Sequence, residues 1–290
     1  MKTLTLFCLL CVPGWADVAA GKEALLRGDF ATALKEFSPL AQAGNPDAQF
    51  NLGVMYAEGK GVQQDYAEAA KLFRESADQG LTAAQSRLGT LYELGQGIPQ
   101  SYADAIKWYL LAADRGDRTA ASNLGKIYYD GRGVERDYEQ AERWLRVAAE
   151  RGDLSAQSHM GIVYYQGLGG PRDYQQAMRW FFFAAVQGDP LSQLHMGVMY
   201  AQGLGVPRDD KEAVDWYRQA ADQGESNAQL NLGVMYSQGQ GVPQDYMKAY
   251  VWFTLAGDAV SLENRGVIAQ KMKPQEIAKA QRLAQEWKAR

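Results

Sequence analysis

Cysteine is almost missing from this chain of 290 residues: Cys8 and Cys11 are the two it has, both near the start. Beyond them no disulfide framework and no cysteine-ligated metal site can be built, so packing must hold the fold. An excess of positive charge is missing as well. Lys and Arg number 30 against 34 Asp and Glu, a net charge of −4 with the signs interspersed. This argues against nucleic acid or anionic lipid as a partner. Long apolar runs are lacking at the N-terminus, where Leu4 to Val12 falls well short of the roughly 20 residues that span a bilayer.

That short run follows Met1-Lys2 and precedes the breaker pair Pro13-Gly14, with Gly14 and Ala16 as small residues before a cut after Ala16. Residues 1–16 are therefore predicted to be a cleaved secretory signal. The mature chain would start at Asp17, lie in the periplasm or outside the cell, contain no cysteine and keep no integral membrane segment. A lipoprotein needs a small residue just before its acylated cysteine, and here Phe7 precedes Cys8 and Leu10 precedes Cys11.

What the sequence does have is a period. Gly53, Gly89, Gly125, Gly161, Gly197 and Gly233 recur every 36 residues, in phase with Tyr56, Tyr92, Tyr128, Tyr164, Tyr200 and Tyr236. Trp108, Trp144, Trp180, Trp216 and Trp252 form a further column, led by Leu72. Such self-similarity marks a repeat array. Each unit reads as two helices. The column Asp65, Ser101, Asp137, Asp173, Asp209, Asp245 holds only good N-cap residues. Glu68, Asp104, Gln140, Gln176, Glu212 and Lys248, three positions on, mostly complete a capping-box pattern. This second helix, B, ends at glycines such as Gly80 and Gly116. Helix A begins at Asp117, Asp153 or Asp189, or at Pro46 and Pro190, and stops at the first glycine of a G-x-G pair. Ala48, Leu52 and Tyr56 on helix A, and Tyr66, Ala69, Phe73 and Ala77 on helix B, make apolar stripes that no single unit could bury alone. The expected fold class is all-α, a right-handed αα-superhelical solenoid of six helix-pair repeats over 45–257. An N-terminal half-repeat over 17–44 and capping helices over 258–290, with a polar outer surface, would close its ends.

The string from Ala48 to Tyr66, A-Q-F-N-L-G-V-M-Y-A-E-G-K-G-V-Q-Q-D-Y, resembles the Sel1-like repeat, a relative of the tetratricopeptide repeat. The tail from Pro274-Gln275-Glu276-Ile277 to Trp287 resembles the C-terminal end of many bacterial members. The resemblance implies an adaptor or scaffold that binds other proteins in assemblies, signalling, envelope biogenesis or host contact. One secreted, cysteine-rich branch is credited with β-lactamase-like activity. Its repeat cysteines are absent here, so that activity is not carried over.

Sites for chemistry are sparse. The G-x-G pairs lack the strand and the following residues of a phosphate loop and read as inter-helix turns. No serine or cysteine sits in a nucleophile setting, and no acid/base pair can be singled out, so no catalytic residue and no cofactor is assigned. His159 and His195 occupy one repeat position that elsewhere holds Asn51, Arg87, Asn123 and Asn231. Equivalent positions in neighbouring repeats lie about 10 Å apart. A hydrogen-bonding repeat position, a ligand contact and, least of all, a metal site are the three readings.

The favoured function is a non-enzymatic protein-binding scaffold of the envelope or secreted fraction. The competing one is an exported hydrolase or a receptor for a small ligand or glycan. Helix A is expected to line the concave surface with the columns of residues 50, 54 and 57, flanked by 51 and 58. These columns vary. Asn123, Lys126, Tyr129, Asp130, His159, Tyr165 and Gln166 are the candidate partner-binding residues, near one mid-groove region. Alternatively the valines of these columns pack against adjacent A helices and the tyrosines cover them. Phe182 and Phe183, aligned with Arg74-Glu75 and Leu110-Leu111, would form an apolar interface if that face is outward.

Overall fold

The computed structural model describes residues 17–288, so the expected signal over 1–16 lies outside the described residues. All regular structure in them is α-helix. The helices are α1 (Val18–Leu26), α2 (Phe30–Gln42), α3 (Pro46–Glu58), α4 (Tyr66–Asp78), α5 (Thr82–Leu94), α6 (Tyr102–Asp114), α7 (Arg118–Asp130) and α8 (Tyr138–Glu150). They continue as α9 (Leu154–Gln166), α10 (Tyr174–Ala185), α11 (Pro190–Gln202), α12 (Asp210–Asp222), α13 (Ser226–Gln238), α14 (Tyr246–Ala256), α15 (Ala259–Ala269) and α16 (Pro274–Lys288). They fall into two compact units, one reaching Asn123 and including Arg132–Val134, the other made of Leu124–Gly131 and the residues from Glu135 on. In the first unit each helix from α1 to α6 packs on the next; in the second the same holds from α8 to α15, and α16 packs on α14. Residues 17–44, expected as a half-repeat, hold a helix pair whose first member is short.

The N-cap column behaves as its composition dictates. Asp65, Ser101, Asp137, Asp173, Asp209 and Asp245 each accept from backbone N–H groups of the first turn of a B helix. The reciprocal half of the capping box is not what holds the cap's own amide. That N–H donates instead to the carbonyl of the tyrosine ending the preceding A helix: Asp65 to Tyr56, Ser101 to Tyr92, Asp137 to Tyr128, Asp173 to Tyr164, Asp209 to Tyr200 and Asp245 to Tyr236, at 2.9–3.0 Å. The turn brings the carbonyl to the amide, so the side chain three positions on is not needed there: Glu68 accepts from Lys71 and Asp104 from the Ser101 hydroxyl instead. Gly59, Gly95, Gly167, Gly203 and Gly239 make this possible by taking positive φ at the A-helix C-cap.

The core sits between the A and B helices. Ala48 and Met55 are fully buried, and so are Ala69 and Phe73. The Met55 column (Leu91, Ile127, Val163, Met199, Met235) is buried throughout. The Tyr56 column next to it is half-buried in its first five members, with Tyr236 buried. Arg74 donates to the Tyr92 hydroxyl, Arg146 to that of Tyr164 (2.5 Å) and Arg218 to that of Tyr236 (3.1 Å).

A column of buried glutamines, interrupted by Ala121 on α7, ties five of the A helices to the B helix before them. Gln49, Gln85, Gln157, Gln193 and Gln229 donate to the carbonyls of Ala41, Ala77, Ala149, Ala185 and Ala221. Gln79, Gln187 and Gln223 then donate to the side-chain oxygens of Gln49, Gln157 and Gln193 at 2.7–2.8 Å. For Gln85 the matching position is Arg115, which reaches the Gly80 carbonyl instead, and Gln85 Oε1 is left buried without a hydrogen-bond partner.

The terminal helices α15 and α16 depart from the expected polar exterior. Val260, Leu262, Val267 and Leu283 are all exposed.

Candidate functional site

In the first unit, residues of the 51, 54, 57 and 58 columns border a groove. Its cavity of about 260 Å³ is bordered by Val54, Ala57 and Glu58 of one repeat and by Arg87, Thr90 and Leu94 of the next.

Beside that groove lies a polar network. The Tyr109 hydroxyl donates to Glu93 Oε2 at 2.7 Å, lies 3.1 Å from Thr90 Oγ1 and accepts from Asn123 Nδ2 at 3.0 Å. Arg132, from the turn after α7, donates to Glu93 Oε1 at 2.8 Å. Glu93 and Tyr109 are buried, and burial drives the phenol's pKa far above its ordinary value. Asn123 is thus an internal strut. Glu93, Tyr109 and Arg132 escaped the sequence reading, although their signal was present. Tyr109, like Tyr217, adds a hydroxyl in a column otherwise filled by Phe73, Leu145, Phe181 and Phe253, and Glu93 adds a charge in the variable column.

In the second unit the candidates sort into two aromatic clusters. Tyr129 meets the Tyr138 ring at 5.7 Å and the His159 ring edge-on at 5.5 Å. His159 Nδ1–H donates to the Ser155 carbonyl at 2.7 Å. Tyr165 pairs one repeat further on, with Tyr174 at 5.6 Å and His195 at 5.3 Å. His195 lies flat on Phe181, centroids 4.5 Å apart at 9°. Its Nδ1 is buried without a hydrogen-bond partner, and burial lowers its pKa. Tyr129 and Tyr165 are both half-buried, and burial raises the pKa of both phenols. Lys126 is half-buried on α7, whereas Asp130 and Gln166 are exposed at helix ends. So Tyr129 and His159 come together, while Tyr165 joins His195, which was not among the candidates. Among the described residues no three His, Cys, Asp or Glu side chains group as metal ligands.

Phe182 and Phe183 on α10 do face outward, 45% and 38% exposed. Phe182 packs edge-on to Trp216 at 6.4 Å, and the Arg179 guanidinium lies 5.9 Å over the Phe183 ring. Exposed Val186 stands where other repeats carry Asp78, Asp114, Glu150 and Asp222. No helix among the described residues is long and apolar enough to cross a membrane.

Comparison with known proteins places this geometry. The Sel1 repeat family model matches six times, at 46–81, 82–117, 119–153, 154–189, 190–225 and 226–260. A protective antigen present in uropathogenic Escherichia coli strains, displaying an SLR fold, is 33% identical with a TM-score of 0.84, over 93% of this chain. This chain spans 61% of the length of that one. A Sel1 repeat protein from Oxalobacter formigenes is 30% identical with a TM-score of 0.72, over 84% of this chain and 98% of the other. No curated protein matches. Six matched repeats with two solved structures of the same repeat class fix the assignment: the chain belongs to the Sel1 repeat family, an all-α solenoid class whose members bind other proteins.

Proposed function

We propose that the chain is a non-enzymatic adaptor of the cell envelope or secreted fraction, holding polypeptide partners on the face formed by its A helices. The observation that carries this reading is the contrast between columns. Ala48, Met55 and Phe73 and their equivalents are buried and stay small or apolar, while the 54 and 57 columns, whose members Val54, Ala57 and Thr90 border a groove in the first unit, admit charged and polar residues such as Lys126 and Glu93. Uniform columns serve packing; variable, accessible ones are free to serve a partner. The Glu93 network fits this role too. Both carboxylate oxygens are engaged and the phenol is held neutral, an arrangement that fixes geometry rather than moves protons.

Cross-linked pull-down of the protein from its own host tests the proposal. The result expected is a specific protein partner whose affinity falls by about 2 kcal/mol in a Tyr129→Ala/Tyr165→Ala double variant. Turnover of a cell-wall fragment or a β-lactam by the pure protein would overturn it. Export rests on the segment 1–16, and N-terminal sequencing of the exported form is expected to read from Asp17. Retention of Met1 on that form would overturn cleavage.

A further inference from the structure

Helix α16 packs on α14, and between these helices and the ends of α12 and α13 opens a cavity of about 380 Å³. Its apolar wall is Val251 and Trp252 from α14 with Leu283 and Trp287 from α16. The two indoles meet edge-on at 5.2 Å. The repeat position held by Val251 is charged in every earlier copy: Lys71, Lys107, Arg143, Arg179 and Asp215. In two of those copies the cation covers the following tryptophan, Lys107 over Trp108 at 5.9 Å and Arg143 over Trp144 at 5.0 Å. Valine at 251 removes that cover in the one repeat that faces α16. A helix that merely ended the array would fill the space; here Leu283 stands 39% exposed at its edge.

The polar groups around this wall are mixed. Arg218 and Lys248 flank Tyr236, the first donating to its hydroxyl at 3.1 Å and the second 5.1 Å over its ring. Asp222 and Glu286 complete the lining. Two groups that only donate and two that only accept sum to no net charge. An anionic lipid or phosphate would meet two carboxylates, and a cationic ligand would meet two cations. A sugar needs an open ring face to stack on, whereas Trp252 is 8% exposed and Trp287 is half-buried against it, edge-on. A polypeptide has the matching pattern: an apolar side chain between backbone N–H donors and carbonyl acceptors, without charge.

We propose that this cavity receives one bulky apolar side chain of a partner polypeptide, its flanking amides held by Asp222 and Glu286 and its carbonyls by Arg218 and Lys248. The proposal deepens the adaptor reading and rests on it. It adds an anchor point on the last repeat, away from the A-helix columns.

The test is indole N–H chemical shift mapping of Trp252 and Trp287 in the full protein, assigned with Trp252→Phe and Trp287→Phe. The probes are N-acetyl-phenylalaninamide and N-acetyl-leucinamide, with phenylpropionate, phenethylammonium and methyl glucoside for comparison. The capped amides are expected to shift both indoles saturably, and to bind at least ten-fold more weakly to Val251→Lys, which restores the repeat's charge, and to Leu283→Arg. Circular dichroism melting confirms that each variant folds, and either one alone suffices. No shift with either amide, equal binding by a folded variant, or preference for a charged probe or the glucoside would overturn the proposal. A protein partner captured equally well by Val251→Lys would sink the pocket while leaving the adaptor reading intact.

Discussion

The ring of Tyr109 lies against the backbone of Gly89 so closely that a β-carbon at Gly89 would meet Cδ1 and Cε1 at 2.7 Å. The phenol cannot retreat, because Glu93, Thr90 and Asn123 hold its hydroxyl. Gly89→Ala is expected to cost about 1–3 kcal/mol despite the better helix propensity of alanine. Gly266, inside α15, has nothing within 4 Å of the same added atom. Gly266→Ala should stabilise by about 0.5–1 kcal/mol. Urea unfolding of both variants checks the opposed signs.

Stability should fall in mild acid through His195. Its ordinary pKa is 6.5, and burial against Phe181 and Tyr165 depresses it, outweighing the opposite pull of Asp189 and Glu225. The unfolded chain binds the proton first, so the contribution is complete above 6.5 and is lost as pH falls towards the folded value. His195→Asn, the residue of Asn51 and Asn231, should flatten melting temperature against pH below about 6.5. An unchanged slope would remove His195 as the cause.

Arg115→Gln should stabilise the first unit. A glutamine at 115 can donate to the orphaned Gln85 Oε1 as Gln79 does to Gln49. The gain is about 1–3 kcal/mol for a satisfied buried acceptor. Against it stand the lost bond from Arg115 to Gly80 and a cation at the C-terminus of α6, worth about 0.3–1 kcal/mol. A net rise of up to about 1 kcal/mol in denaturant unfolding is the expected outcome; a loss would show that the Arg115 bond matters more.

Neighbouring tyrosines should separate by chemistry rather than by depth. Tyr164→Phe removes the bonds of its hydroxyl with Glu142 and Arg146 and should cost about 1 kcal/mol of stability. Tyr129→Ala and Tyr165→Ala lose ring packing on Tyr138, Tyr174 and the histidines, so each should lower stability by about 1–2 kcal/mol as well as weaken partner binding. Thermal melts beside affinity measurements distinguish the effects.

The column Asp65 to Asp245 and the glycines that end helix A could be read from the sequence because each has a local cause, a cap or a positive φ. Depth could not. Tyr56 recurs as tyrosine in every unit and Met55 only as an apolar column, yet Met55 is fully buried and Tyr56 half-buried, since recurrence records that a position is constrained and not by what. The capping-box reading of Glu68 failed for a related reason: the competing acceptor, the Tyr56 carbonyl, is a backbone atom that no side-chain pattern reveals. Asn123 and Tyr165 were found as candidates, but their partners Tyr109 and His195 come from other helices. The cavity beside Trp252 depends on α16, which lies outside the period, so no column could announce it.

The bond from the Asp65 amide to the Tyr56 carbonyl joins two residues of one unit, and the five later pairs do the same. Every unit thus closes its own hairpin, and neighbours are joined by side chains such as Gln85 to Ala77 and Arg74 to Tyr92. Such a chain can be lengthened or shortened in whole-unit steps without stranding a single cap amide, whereas an insertion of any other length between Tyr56 and Asp65 would sever one. Gain or loss of a whole unit therefore keeps every cap bond, although between the second and third units it would break the contacts of Arg132 with Glu93 and of Asn123 with Tyr109.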